Sequence, residues 1–159
     1  MAPDGDDQRP AIVIALDTNI LVHAHREDSD FHAPARDRLK DLAESGAPWA
    51  IPWPCVHEFL AVVTHPRIWR PPTPLALALD SVEALLAAPS LVLLGETDGY
   101  WEQLRAALLA GRIVGPRMHD ARIATLCILH GVRELWSADR DFMAFPTLKV
   151  KNPLVAAVT

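Results

Sequence analysis

Apolar positions along the 159-residue chain fall into two kinds of run. Short continuous ones, rich in β-branched residues, have the length and character of strands buried on both faces. Longer ones repeat every three or four residues, as helices with one face in a core do. The first continuous run is Ala11-Ile12-Val13-Ile14-Ala15-Leu16, and it stops at Asp17-Thr18-Asn19. Ile20, Leu21, Val22 and Ala24 predict a short buried helix to about Arg26, and Glu27-Asp28-Ser29-Asp30 a solvated turn. Pro34 opens an amphipathic helix to about Glu44, with Ala35, Leu39 and Leu42 inward. Trp49-Ala50-Ile51 is a second strand, and Val56, Phe59, Leu60 and Val63 mark the core stripe of a helix from Cys55 to Thr64.

The second half repeats the alternation. His65 to Pro74 is proline-dense and predicts a loop, in which Trp69 is expected to pack on its own domain. Leu75 to Ala87 is a helix, Leu91-Val92-Leu93-Leu94 a third strand, and Thr97 a cap for a helix carrying Tyr100, Trp101, Leu104 and Leu108 up to Gly111. Arg117 to His130 is the most apolar helix, with Met118, Ala121, Ala124, Cys127 and Ile128 in its core stripe. Arg133 to Ser137 reads as a fourth strand, and Leu148-Lys149-Val150 as a short last one. Strands alternating with helices imply one α/β domain with a parallel sheet over residues 11–159. The polar, acidic residues 1–10 are expected to form a frayed tail.

Composition narrows the function classes. Half the residues are hydrophobic, which excludes disorder of the whole, and a net charge of −5 gives no global attraction for nucleic acid or acidic membranes. Phosphate binding therefore needs local arginines or a metal. Cys55 and Cys127 lie in apolar segments without CxxC spacing, which predicts two reduced, buried thiols. With no signal peptide and no apolar run of the ~18 residues that cross a bilayer, a cytoplasmic protein is expected.

Candidate chemistry collects at one edge of the expected sheet. Asp17 and Asp139 follow strands, while Glu58 and Asp120 stand near the starts of helices that follow strand-like segments. Strand carboxyl ends and the following helix amino ends share one edge, where open α/β sheets bind ligands. Alone, Asp17 reads equally well as a helix cap. Four converging carboxylates would repel one another without a cation. An all-oxygen set suits Mg²⁺ or Mn²⁺, which activate water and neutralise charge on a phosphodiester. Arg112, Arg117, Arg122 and Arg140 are the nearby candidates for phosphate contacts.

The alternatives are weaker. Seven histidines raise the question of zinc, but His23 with His25, or His57 with His119, lacks ligand spacing. No glycine-rich phosphate loop follows the first strand. A Mg²⁺-dependent phosphatase with an aspartyl nucleophile would want an acid two residues after Asp17, where Asn19 stands. A catalytically silent binding protein on the same fold is the rival of a different class.

Leu16-Asp17-Thr18-Asn19, Glu58, His119-Asp120 and Ser137-Ala138-Asp139-Arg140-Asp141-Phe142 together resemble the acidic signature of PIN-domain ribonucleases. Chain size and the closing Phe145 to Leu154 look most like the VapC-type toxins of toxin–antitoxin modules. The resemblance implies a three-layer α/β/α fold with a central parallel sheet of four to five strands. It further implies a Mg²⁺- or Mn²⁺-dependent endoribonuclease, homodimers, and inhibition by a small cognate VapB-like antitoxin. Asp17, Glu58, Asp120 and Asp139 inherit metal-binding roles. Thr18, Asn19 and Ser137 are expected to orient those carboxylates from behind. Asp141 is expected to turn away from the metal and support the site, since residues i and i+2 do not share a helix face. His119, beside Asp120, departs from the pattern and is expected at most at the rim.

Overall fold

The computed structural model describes residues 11–155. Strands β1 (Ile14–Leu16), β2 (Trp49–Pro52), β3 (Leu91–Leu94), β4 (Glu134–Trp136) and β5 (Lys149–Lys151) form one sheet in the order β3-β2-β1-β4-β5, parallel throughout. Six helices flank it, giving the three-layer architecture: α1 (Thr18–His25), α2 (His32–Glu44), α3 (Trp53–Val63), α4 (Leu75–Leu86), α5 (Tyr100–Gly111) and α6 (Met118–Leu129). The chain builds outward from β1 to β3, then returns to add β4 and β5 on the other side. That reversal sets a switch point between β1 and β4, the place where such sheets open a crevice at their carboxyl edge.

The core is a single buried cluster fed by the sheet and its helices. Ala15, Leu16, Trp49, Ala50, Ile51 and Leu135 come from the strands, and Ile20, Phe59, Ala124, Leu126 and Cys127 from the helices. Cys55 and Cys127 are buried free thiols, as their apolar settings predict. Trp69 packs against this core with the Arg26 guanidinium 4.7 Å above its ring. Among the described residues, no helix is long and apolar enough to cross a membrane.

Several boundaries differ from expectation for identifiable reasons. Regular pairing of β1 starts only at Ile14, opposite Trp49 and Glu134, so Val13 stands at the amino-terminal rim, 41% exposed. Helix α2 begins at His32, two residues before Pro34, and α3 at Trp53, one before Pro54. Proline is tolerated in a first turn because no intrahelical bond needs its N–H there. Pro52 ends β2 opposite Leu94, beyond the residues of β2 that pair with β1. Thr97 does not cap α5: the helix starts behind Gly99, whose φ of 86° suits glycine, and Thr97 contributes only its carbonyl to Tyr100 N–H. Met118 is 46% exposed rather than in the core, because α6 enters the interior only from Ala121 onward. The tail expected over residues 1–10 lies outside the described residues.

Phe142 anchors the short 3₁₀ turn Arg140–Ala144 that follows β4, and it is fully buried. Phe142→Ala should cost about 3–5 kcal/mol in urea unfolding, the usual price of deleting a buried ring. A loss below about 1 kcal/mol would show that the turn is not held by that ring.

Candidate active site

Asp17 leaves β1 in extended conformation and caps α1 by accepting from Thr18 N–H at 2.8 Å. The capping role is real, and it uses only part of the carboxylate. The Ser137 hydroxyl donates to Asp17 Oδ2 at 2.7 Å, the Asn19 amide to the same oxygen at 3.1 Å, and the Cys55 thiol to Oδ1 at 3.6 Å. Asn19 also donates to Ser137 Oγ at 3.2 Å and accepts from Ala138 N–H at 3.1 Å, fastening α1 to the exit of β4. Ser137 Oγ in turn accepts from Asp139 N–H at 2.9 Å. One relay of short polar side chains therefore sets Asp17 and Asp139 in fixed relation across the switch point.

The other acids arrive from helices. Glu58, exposed on α3, accepts from Thr18 Oγ1 at 2.5 Å. Asp120 lies in the first turn of α6. Asp17, Glu58, Asp120 and Asp139 line one open pocket of about 260 Å³. The remaining wall is Thr18, Asn19, Val22 and His23 from α1, with Val62 from α3. Asp141 is exposed at the rim, yet Asp120, Asp139 and Asp141 each place a carboxylate oxygen within 4.8 Å of the other two. The expected divergence of Asp139 and Asp141 does not occur. Asp139 precedes the 3₁₀ turn as its cap, in extended conformation, and accepts from Asp141 N–H at 2.8 Å.

Crowding and burial show in the titration of these acids. Burial, then the neighbouring Asp139, Asp141, Asp17 and Glu58, push Asp120 up to about 6. Burial also raises Asp17, against the opposing hydrogen bonds from Ser137 and Thr18. Among the described residues, none of the five acids takes part in an ion pair.

The cationic candidates lie outside the pocket. Arg112 ends α5, Arg117 directly precedes α6 and Arg140 directly follows Asp139; all three are exposed and none lines the acid wall. Arg122 pairs with Glu96 at 3.1 Å. His119 is exposed and does not line the pocket either. Two residues in the site escaped the sequence pattern. Cys55 sits in an apolar stripe that explains it without any polar contact, and His23 is considered in the sequence only as a zinc ligand with His25.

Residues 14–147, which hold all five acids, match the PIN domain family. This chain belongs to the PIN-domain family. Its relatives include ribonuclease VapC48 of Mycobacterium tuberculosis, 31% identical over 139 residues that cover 87% of this chain and 95% of the relative. The PIN fold is shared with solved structures at lower identity. M. tuberculosis VapC20, a Sarcin-Ricin loop cleaving toxin, superposes with a TM-score of 0.61 at 17% identity, covering 82% of this chain and 93% of that one. A toxin–antitoxin complex from Klebsiella pneumoniae gives 0.58 at 18% identity, covering 88% and 97%.

The raised Asp120 pKa makes a prediction for this PIN domain without metal. An acid whose folded pKa exceeds its unfolded value weakens the fold once the pH rises above the unfolded value, here from 3.8 toward about 6. In EDTA, Asp120→Asn should therefore be more stable than the parent at pH 7. Its advantage should set in between about pH 4 and pH 6 and stay constant above. Thermal unfolding across pH checks this, and an advantage that is equal at pH 3 and pH 7 contradicts it.

Proposed function

We propose that the protein is a divalent-metal-dependent endoribonuclease and the toxin of a toxin–antitoxin pair. The observation that carries this is the convergence of Asp17, Glu58, Asp120 and Asp139 on one pocket at the sheet's switch point. The relationship to VapC48, a named ribonuclease, supports the substrate class. The donor set is entirely carboxylate oxygen, which fits Mg²⁺ or Mn²⁺ rather than zinc. Burial first, and then the neighbouring carboxylates, raise Asp120 to about 6, and a divalent cation relieves the repulsive part.

Asp120, Asp139, Asp17 and Glu58 are the residues proposed to hold the cation, with Asp141 supporting Asp139 through its N–H. A bound cation supplies activation of water and neutralisation of charge on the phosphodiester. The chain's own contribution is orientation. Ser137, Asn19 and Thr18 fix the carboxylates of Asp17 and Glu58, so little reorganisation is needed when substrate arrives. Arg117 and Arg140, beside two of the acids in sequence, and Arg112 are proposed to meet RNA phosphates.

An acid pocket also invites a cation from another protein, and a VapB-like antitoxin that inserts a basic side chain there accounts for inhibition. Exposed Leu75, Leu79 and Leu86 on α4 and Trp101 and Leu109 on α5 offer apolar surface for that partner and for a homodimer. An RNA substrate and two reduced thiols suit the cytoplasm. Residues 11–159 are proposed to act as one nuclease domain, with 1–10 as a tail.

Asp17→Asn keeps the volume and removes the charge. It should abolish Mn²⁺-dependent RNA cleavage, a loss of several kcal/mol in transition-state stabilisation, while the variant still folds. EDTA should do the same to the parent. Cleavage that survives either treatment sinks the proposal. Asp139→Asn should weaken Mn²⁺ binding more than Asp141→Asn, and the reverse order would exchange the roles of these two acids.

A further inference from the structure

We propose that His23 is a nucleotide-positioning residue, its imidazole stacking on the base next to the cleaved phosphodiester. The inference rests on the ribonuclease reading above. Helix α1 runs outward from Asp17, and Asn19 and His23 are four residues apart on one of its faces. His23 therefore stands one turn, about 6 Å, beyond the amide that bonds Asp17. Glu58 and Val62 repeat the same spacing on α3, across the pocket. Helical spacing thus sets His23 one turn along α1 from Asn19, and Val62 one turn along α3 from Glu58, in the wall of the same pocket as the acids. A strand that lies along α1 with its phosphate at the acids carries its neighbouring nucleotide over His23.

The ring is held in place for such a contact. Its Nδ1 lies 2.6 Å from Ser29 Oγ, and Phe31 packs edge-to-face against it, with centroids 5.3 Å apart and planes at 66°. Among the described residues, Nε2 makes no hydrogen bond. Burial lowers the His23 pKa and so disfavours the imidazolium, which suits the ring to a base rather than to a phosphate charge. Stacking on aromatic rings tolerates any base and is a recurrent way to hold single strands. The bland alternative is that His23 only fastens the Glu27–Asp30 turn through Ser29. In that case its removal would alter stability and leave RNA binding alone.

The two are separated by steady-state cleavage of total bacterial RNA by the full chain in Mn²⁺. His23→Ala should raise the apparent KM about tenfold, the scale of one lost base stack, and leave kcat within about twofold. His23→Phe, which keeps a ring and loses both nitrogens, should return KM to within about threefold of the parent. Ser29→Ala, outside the pocket, should raise KM by about threefold through a less ordered ring. An unchanged KM in His23→Ala, or a Phe variant no better than Ala, overturns the assignment. A parent that cuts no RNA overturns the ribonuclease reading itself, and this contact with it.

Discussion

The buried carboxylate of Asp17 is where sheet, helices and pocket meet. It is 5% exposed and receives donors from α1, from α3 and from Ser137, the residue just after β4. A buried carboxylate without partners would be strongly destabilising, and one with four donors is tolerated. Those donors do more than satisfy it. The Ser137 hydroxyl that reaches Asp17 also fixes Asp139, and the Thr18 hydroxyl beside it holds Glu58. Three of the four pocket acids are thereby positioned by side chains within two residues of Asp17 or of β4's end.

Asp120 is the exception. No hydrogen bond of that relay reaches it, and it comes from the amino end of α6, whose helix dipole favours an acid there. Burial and its four acidic neighbours outweigh that dipole, since its pKa moves upward to about 6. The site therefore combines rigidly held carboxylates with one whose protonation answers to whatever charge enters. Such an arrangement costs stability in the free protein, as function often does at the carboxyl edge of a sheet.

Much of this was legible in the sequence, for physical reasons. Continuous apolar runs marked the inner strands because both faces of β1 and β2 are covered, and polar residues at strand ends marked the pocket because a parallel sheet puts those ends on one edge. The starts expected at Pro34 and Cys55 were misplaced because a proline is tolerated at several positions of a helix's first turn, and Thr97 because Gly99 precedes α5 instead. The partnership of Asp139 and Asp141 was hidden for a different reason: helix spacing rules do not hold for a residue that caps a turn in extended conformation. Cys55 left no pattern as a site residue, and His23 left only a histidine spacing that does not fit zinc. The thiol's contact with Asp17 spans 38 residues of chain, and a histidine one turn beyond Asn19 acquires meaning only once α3 stands opposite.

Paramagnetic broadening asks directly whether the acid pocket is a divalent-cation site. Side-chain carboxyl resonances of the full chain are followed by NMR while substoichiometric Mn²⁺ is added without RNA. If the pocket is such a site, Asp17, Glu58, Asp120 and Asp139 broaden first and together, with surface acids such as Asp37 and Glu44 unaffected at the same concentration. Broadening that begins on the surface acids, or spreads evenly over all of them, would contradict it.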